Sequence, residues 1–238
     1  MKRKIYIILL AIFICLMFLA LLILFSWYKE NKNNQEIVNN VKTYMNIDKD
    51  KKKIDKNNGE EKYLDSKILK ENPDTIGWIK IDGTKIDYPV VKYTDNEYYL
   101  KHDFKKKSNS AGWIFMDYKN NFNDQNIILY GHNRRDGSMF GSLKSLFDEK
   151  FYKDHNSEIL FIKENEIIRY NIFSVYKIIN TEPYNSTNFI SFKEKVKEFK
   201  NRSSIYFDID VSNVSQIITL STCDYDNSYR LVVHGYKK

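Results

Sequence analysis

The chain has 238 residues but only two cysteines, three prolines and eight glycines. It contains neither an HExxH sequence nor a paired CxxC, so no pattern predicts a zinc site. A Walker loop and a GxGxxG sequence are also missing, and with them any argument for a bound nucleotide. We therefore expect neither a metal nor a cofactor. The scarcity of Ala, Gly and Pro, beside abundant Lys, Asn and Ile, points to an AT-rich genome and not to a function.

Residues 5–25 contain no charged side chain. A helix of about 21 residues is long enough to cross the hydrocarbon layer of a membrane, roughly 30 Å thick. The sequence Lys2-Arg3-Lys4 precedes this run, and positively charged flanks stay in the cytoplasm. A cleaved signal peptide is the competing interpretation, although residues 26–29 (SWYK) are not a small-residue cleavage site. We expect a single-pass cell-membrane anchor with a cytoplasmic N-terminus and the rest of the chain outside the cell.

This orientation makes the two cysteines informative. Cys15 lies in the middle of the apolar run and Cys223 lies near the C-terminus, so they cannot pair within one molecule. An exported protein with one unpaired thiol is unusual, because that compartment favours disulfides or the absence of cysteine. Cys223 is therefore a candidate reactive thiol, and a small buried apolar residue is the alternative.

The net charge of +7 has a simpler explanation than nucleic-acid binding. Many of the lysines lie close to the apolar run or in the polar segment after it, which favours solubility and attraction to an anionic cell surface. No basic motif interleaved with aromatic residues supports a nucleic-acid partner, and we expect none.

The composition divides the chain into three regions. Residues 1–28 form the cytoplasmic tip and the anchor. Residues 29–62 are rich in Asn, Lys, Asp and Glu and hold few large apolar side chains to offset the entropy of ordering, which predicts a polar linker or a partly helical stalk. Residues 63–238 form the folded domain.

The folded domain is predicted to be mainly β. About eight short strands with only a few helices are typical of a barrel or a sandwich. The predicted strands are residues 76–81, 86–91, 111–116, 126–130, 158–163, 167–179, 205–207 and 216–220, followed by one that begins at residue 230; the predicted helices are residues 63–70, 139–151 and 191–202.

The last two strands carry chemistry at their facing ends. Cys223 lies at the exit of one strand, and Arg230 opens the next. Cysteine acyl transfer needs a sulfur nucleophile, a cation or N–H donors for the oxyanion, and a group that handles the proton. The pair supplies the first two, although Arg230 also suits a surface charge. Asp224 and Asp226 either orient a histidine or favour the turn.

Four histidines are candidates for the proton-handling group. His132 follows an apolar strand and a glycine, where a strand end presents its side chain to a cleft, and it is the leading candidate. His155 lies in a polar segment and is expected at the surface. His102, beside Asp103, suits a surface or structural role, whereas His234 lies inside the last strand and faces either the core or solvent.

Three motifs together resemble the sortases, the membrane-anchored cysteine transpeptidases of Gram-positive bacteria. The motifs are YGHN at residues 130–133, TLSTC at residues 219–223 and RLVV at residues 230–233. Four further segments resemble class B sortases in particular: NPDTIGWI from Asn72, IDYPVV from Ile86, NEYYL from Asn96 and GWIFMD from Gly112. The resemblance covers residues 63–238, and the anchor with its stalk fits the family.

The resemblance implies a mainly β fold: an eight-stranded sortase-type β-barrel with peripheral helices, one of them (residues 191–202) inserted between the sixth and seventh strands. It implies that Cys223 is the nucleophile, His132 the general acid/base, and Arg230 the group that steadies the carbonyl oxygen or the bound peptide. The residues implied to line the peptide groove, with core or turn roles as the alternative, are Asn96, Leu100, Tyr130 and Ser221.

The implied enzyme cleaves the C-terminal sorting signal of a surface protein after its threonine. The signal is NPxTN-like or S/P-PxTG-like, the acyl group is held on Cys223 as a thioester, and an amine of peptidoglycan or lipid II accepts it. Two alternatives stay open: a membrane-anchored cysteine protease with water as acceptor, and a non-catalytic wall-binding β-domain with Cys223 as a buried bystander.

Overall fold

The computed structural model describes residues 2–45, 63–156, 158–179, 183–223 and 228–238. Eight strands form the domain: β1 Thr75–Lys80, β2 Asp87–Lys92, β3 Phe115–Met116, β4 Asn126–Tyr130, β5 Glu158–Ile162, β6 Ile167–Ile179, β7 Ile217–Cys223 and β8 Tyr229–Lys237. The helices are α1 Lys2–Lys42, α2 Lys67–Glu71, α3 Phe151–Asp154 and α4 Phe192–Arg202, with 3₁₀ helices at Tyr98–Leu100 and Gly141–Phe147.

The strands close into a barrel in the order β1-β2-β3-β4-β7-β8-β6-β5. The β2–β3 and β4–β7 pairs are parallel and the other pairs are antiparallel. Helix α4 lies between the sixth and seventh strands of the chain. The predicted eight-stranded barrel with this helical insertion is confirmed.

Four predicted elements differ from the structure in type or by more than three residues. The helix predicted over residues 63–70 is the shorter α2, because Tyr63 and Asp65 donate their backbone N–H groups to the carbonyl oxygens of Glu164 and Tyr44. The strand predicted over residues 111–116 pairs only at Phe115–Met116, because Gly112 has a positive φ of 56° and breaks the extended chain. Residues 205–207 are not a strand, although Ile205 and Phe207 are buried. The helix predicted over residues 139–151 is the 3₁₀ helix followed by α3.

Large apolar side chains fill the barrel and continue beneath α4. Trp78, Trp113 and Phe161 are at most 1% exposed in the main cluster. Val196 and Phe199 of α4 pack in a second cluster with residues of β6, β7 and β8. An amphipathic helix inserted between two strands thereby covers the outer face of the sheet and buries its own apolar side.

Helix α1 has two environments. Its apolar part, residues 5–25, is exposed and meets the length and composition of a membrane span. Further along the same helix, Ile37, Val38 and Val41 are buried in the main cluster of the domain. Residues 46–62 of the predicted linker lie outside the described residues.

Candidate active site

Three neighbouring strands end at the same edge of the barrel. Tyr130, the last residue of β4, is paired with Ser221 of β7 in parallel register. Cys223, the last residue of β7, is the direct cross-strand partner of Arg230 in β8. His132 follows β4 by two residues. Pairing of β4, β7 and β8 therefore gathers residues from distant parts of the chain at one place.

At this edge the structure describes the backbone of Cys223 but not its side chain. The candidates Asp224 and Asp226, which follow Cys223, lie outside the described residues.

A cleft of ≈ 270 Å³ opens at this edge. It is lined by both described members of the predicted catalytic set and by all four predicted groove residues: His132, Arg230, Asn96, Leu100, Tyr130 and Ser221. Five further residues line the cleft and were not predicted to do so: Phe115, Gly131, Tyr184, Asn185 and Thr222.

The imidazole of His132 is held by a backbone contact. Its Nε2 lies 2.7 Å from the carbonyl oxygen of Leu100. A carbonyl oxygen only accepts, so Nε2 carries a proton and donates it, and Nδ1 is the nitrogen that can gain or lose one. Gly112 lies against this pair: a Cβ there would be 2.8 Å from the Leu100 oxygen and 3.0 Å from His132 Cδ2.

A buried carboxylate holds two of the groove side chains. Asp117 is 5% exposed, and its Oδ2 accepts hydrogen bonds from Asn96 Nδ2 at 2.9 Å and from the Tyr130 hydroxyl at 3.1 Å. Asn185 Nδ2 donates to the same hydroxyl at 3.0 Å. Burial raises the pKa of Tyr130 above its usual range, and the charge of Asp117 adds to this effect. The phenol therefore stays neutral and can donate.

The other wall of the cleft presents hydroxyl groups and a guanidinium. Tyr184 and Ser221 share a hydrogen bond between their hydroxyl oxygens at 2.7 Å. Arg230 Nη1 donates to the carbonyl oxygen of Tyr229 at 3.1 Å, which restrains the guanidinium near the strand end. Within the described residues, the buried Oγ1 of Thr222 has no hydrogen-bond partner.

His234 is a structural residue of the core. Thr219 donates its one hydroxyl proton to Asn126 Oδ1 at 2.6 Å, so its oxygen accepts from His234 Nδ1–H at 2.9 Å. His234 Nε2 then accepts from the Tyr176 hydroxyl at 2.8 Å. Burial lowers the pKa of His234 to about 3, with a further contribution from Arg202. The imidazole is neutral, and its hydrogen bonds occupy both nitrogens.

The two remaining histidines lie outside the cleft. His102 stacks on Tyr98, with ring centroids 4.0 Å apart, and its Nδ1 lies 2.7 Å from the carbonyl oxygen of Tyr98. His155 is exposed and stacks on Phe151. Of the four histidines, His132 lines the cleft.

Tyr184, Asn185 and Asp117 were missed for different reasons. Tyr184 and Asn185 belong to an irregular segment after β6, and no local pattern marks them. Asp117 lies within the segment GWIFMD, so its position was available, but a carboxylate behind the groove is recognised only from its contacts with Asn96 and Tyr130.

A family model described as the sortase domain matches residues 79–238. The chain belongs to the sortase family. Sortase B of Listeria monocytogenes is 38% identical to this sortase over 232 residues, which cover 89% of this chain and 90% of the Listeria protein.

Solved structures of sortase B resemble this sortase along most of its length. Sortase B of Bacillus anthracis in complex with AAEK1 has a TM-score of 0.74 and 33% identity, and the match covers 88% of this chain and 98% of that one. A Staphylococcus aureus sortase B–substrate complex has a TM-score of 0.68 and 34% identity, covering 73% and 83%. Sortase B complexed with triglycine has a TM-score of 0.68 and 33% identity, covering 73% and 84%.

These relatives confirm the predicted class and activity. The protein is a class B sortase, a cysteine transpeptidase that acts on the cell wall. The non-catalytic wall-binding domain is therefore excluded as its overall function.

Proposed function

We propose that this sortase uses Cys223 as nucleophile, His132 as general acid/base and Arg230 as the cation beside the oxyanion. One observation carries the proposal. His132 and Arg230 line the same cleft, and Arg230 is the cross-strand partner of Cys223. The imidazole of His132 and the guanidinium of Arg230 thus lie at one cleft, beside the strand end that carries Cys223.

Acylation begins with the Cys223 thiolate. An unperturbed thiol has a pKa of about 8.5 and is only a few per cent thiolate at neutral pH, so the positive charge of Arg230 and of protonated His132 increases the reactive fraction. The thiolate attacks the threonine carbonyl carbon of the sorting signal, and a C–S bond forms. The carbonyl oxygen takes the negative charge, which Arg230 stabilises. The C–N bond then breaks, and the leaving amine takes a proton from His132.

Transfer runs through the same groups in reverse. The acceptor amine attacks the thioester carbonyl, gives a proton to His132, and the Cys223 thiolate leaves. Since Nε2 of His132 is committed to the Leu100 carbonyl, the proton moves at Nδ1. The products are the new amide and the enzyme with its thiolate and imidazolium restored.

The donor substrate is a surface protein with a C-terminal NPxTN-like or S/P-PxTG-like sorting signal. Asn96, Leu100, Tyr130 and Ser221 contact its pentapeptide. Their position in the cleft supports this assignment, as does a S. aureus sortase B structure described as a substrate complex. The acceptor is an amine of peptidoglycan or lipid II; a sortase B complexed with triglycine supports an amine acceptor.

The enzyme acts at the outer face of the cell membrane. Residues 1–28 form the cytoplasmic tip and anchor, residues 29–62 connect it to the domain, and residues 63–238 form the catalytic domain. The exposed apolar run of α1 and the cationic sequence Lys2-Arg3-Lys4 support a single span with the N-terminus in the cytoplasm.

A cleavage assay with the full chain in detergent micelles tests these roles. Quenched peptides carry Asn-Pro-x-Thr-Asn, Ser-Pro-x-Thr-Gly, Pro-Pro-x-Thr-Gly or Leu-Pro-x-Thr-Gly, with and without triglycine. We expect cleavage after Thr by the wild type, a thioester detectable by mass, and a triglycine ligation product. Cys223→Ala and His132→Ala abolish turnover, and Arg230→Ala reduces it about a hundred- to a thousandfold, as for the loss of one oxyanion donor.

Each outcome separates the alternatives. If only the hydrolysed peptide forms even when triglycine or another amine is present, water is the acceptor. Cleavage that survives Cys223→Ala or His132→Ala would contradict the assigned roles. Arg169→Ala, on β6, removes a guanidinium that lies outside the cleft lining and controls for charge.

A further inference from the structure

Helix α1 brings the end of its apolar run beside the active-site loop. A cleft of ≈ 690 Å³ lies between them, and we call it the helix cleft. Its members are Ile23, Leu24 and Trp27 on α1, and Ser110, His132, Asn133, Arg134, Arg135 and Asp136 on the domain. His132 also lines the cleft of ≈ 270 Å³ described above, which we call the peptide cleft. The two clefts therefore border the same imidazole.

The helix cleft has a fixed geometry because the part of α1 that follows Trp27 is hydrogen-bonded to the domain. The Ser110 hydroxyl donates to Glu30 Oε2, and Arg134 Nη2 donates to Asn31 Oδ1, each at 2.5 Å. The Arg134 guanidinium also lies over the ring of Trp27, 6.0 Å from its centroid. The helix is continuous from the apolar run through these contacts.

The distance along α1 sets the depth of the cleft in a membrane. The five residues from Phe25 to Glu30 correspond to about 7.5 Å of helix. The polar headgroup layer on one side of a bilayer is about 5–7.5 Å thick. If α1 crosses the membrane as proposed above, Trp27 and the loop of residues 132–136 lie at headgroup depth.

The polar wall of the helix cleft is suited to an anion. Arg134 and Arg135 supply two guanidinium groups. Asn133 is half-buried, but both atoms of its amide are shielded from solvent. Within the described residues neither atom has a hydrogen-bond partner, and buried polar groups in native proteins normally have one. The one carboxylate in the wall, Asp136, accepts hydrogen bonds from the Ser138 backbone N–H and hydroxyl through Oδ1, and the same oxygen lies 3.8 Å from Arg134 Nε. Asp136 therefore offsets part of the charge of Arg134, and the wall keeps a net positive charge through Arg135.

We propose that the helix cleft binds the phosphate-bearing headgroup of an anionic membrane phospholipid. The acyl chains lie along Ile23 and Leu24. The phosphate accepts hydrogen bonds from Arg135 and, after the Asn133 side chain rotates toward the cleft, from Asn133 Nδ2. The match of apolar helix wall to acyl chain and of cationic loop to phosphate favours a lipid over a soluble anion. The bound lipid holds the active-site edge of the barrel against the membrane surface. This inference rests on the membrane span of the proposed function.

Native mass spectrometry of the full chain, released from nonionic micelles, tests the proposal. The chain is loaded with equimolar phosphatidylglycerol and phosphatidylcholine. We expect phosphatidylglycerol to be retained about tenfold over phosphatidylcholine, the size of one charge-assisted hydrogen bond. Arg135→Gln reduces the retention of phosphatidylglycerol to that of phosphatidylcholine. The matched control Arg169→Gln, which removes an exposed guanidinium paired with Glu158 on the barrel, leaves it unchanged.

Three results would overturn the lipid site: equal retention of the two lipids, equal losses in both arginine variants, or displacement of phosphatidylglycerol by inorganic phosphate. A second measurement does not depend on a variant. In nanodiscs, hydrogen exchange at residues 133–136 slows when phosphatidylglycerol is added to phosphatidylcholine, and unchanged exchange would also contradict the proposal. Neither measurement needs a peptide substrate, so a chain that binds the lipid but cleaves no sorting peptide refutes the proposed function alone.

Discussion

His132 donates a hydrogen bond from Nε2 to the carbonyl oxygen of Leu100, a residue 32 positions earlier in the chain. The contact joins the loop after β4 to the 3₁₀ helix Tyr98–Leu100. Each of the two residues also lines the peptide cleft. The orientation of the imidazole is therefore set by the same backbone segment that forms the groove.

Gly112→Ala should disrupt this contact. Gly112 has a φ of +56°, and a Cβ would lie 2.6 Å from the carbonyl oxygen of Tyr99 and 2.8 Å from that of Leu100, so the backbone beside His132 must shift. We expect peptide cleavage to fall by about a hundredfold, since a displacement of about 1 Å at a catalytic group has an effect of that size. Steady-state cleavage kinetics measure it.

Gly137 provides a matched control for Gly112. It also has a positive φ, +78°, but the nearest atom to its added Cβ is the flexible Lys85 Cδ at 3.5 Å. Gly137→Ala should lower the free energy of unfolding by about 1 kcal/mol and leave the cleavage rate near that of the wild type. Equal cleavage rates in the two alanine variants would show that strain at Gly112 does not reach His132.

Asp117→Asn should weaken the binding of the peptide more than it slows the chemical step. The Asp117 carboxylate accepts from Asn96 and Tyr130 through Oδ2 and from the Lys119 backbone N–H through Oδ1. An amide has one acceptor oxygen and no charge, so it cannot serve both sets of donors and holds Asn96 and Tyr130 less tightly. We expect KM for the sorting peptide to rise about tenfold, the equivalent of one hydrogen bond to a charged group, with a smaller change in kcat. Asp210→Asn, at an exposed position, is the control for a lost charge. A loss confined to kcat would contradict a positioning role for Asp117.

The stability of the domain should decrease as the pH falls below about 6.5. His234 has a pKa lowered to about 3 by burial, whereas the unfolded chain takes up this proton near 6.5. Between these two pH values the unfolded state binds the proton and the folded state does not. His234 therefore lowers the free energy of unfolding by up to about 1.4 kcal/mol for each unit by which the pH falls. Urea unfolding between pH 7.5 and 5, above the range where most carboxylates titrate, measures it.

His234→Gln isolates this contribution. The variant should be less stable at pH 7.5, because Tyr176 and Thr219 lose a matched partner. Its free energy of unfolding should change less with pH over the same interval. A slope equal to that of the wild type would assign the pH dependence to other groups.

Ile37→Ala should destabilise the domain although Ile37 precedes the predicted domain boundary. Its side chain is 3% exposed and packs in the main cluster. Removal of such a side chain lowers the free energy of unfolding by about 2–5 kcal/mol. Asn40→Ala, on the exposed face of the same helix, should change it by less than about 0.5 kcal/mol. Equal stability of the two variants in urea unfolding would mean that α1 does not dock in solution.

The local pattern of the sequence located the strands that carry the site. The apolar run of β4 has the predicted bounds, and the strands before and after the turn place Cys223 and Arg230 at facing ends. Alternation, apolar runs and turn residues are patterns of a few neighbouring positions, so they can be recognised in the sequence before the fold is known. The position of His132 after an apolar strand made it the leading histidine, and the motifs shared with sortases added four groove residues. All five line one cleft in the structure.

Tertiary structure alone decided what surrounds those residues. Asp117 behind the groove, Tyr184 and Asn185 across it, and the docking of α1 on the barrel depend on contacts between residues far apart in the chain. The neutral state of His234 likewise follows from its partners on β6 and β7. Composition and periodicity determine which segments become strands and helices, whereas strand order and loop packing determine which side chains meet, because those contacts form only when the whole chain closes into the barrel.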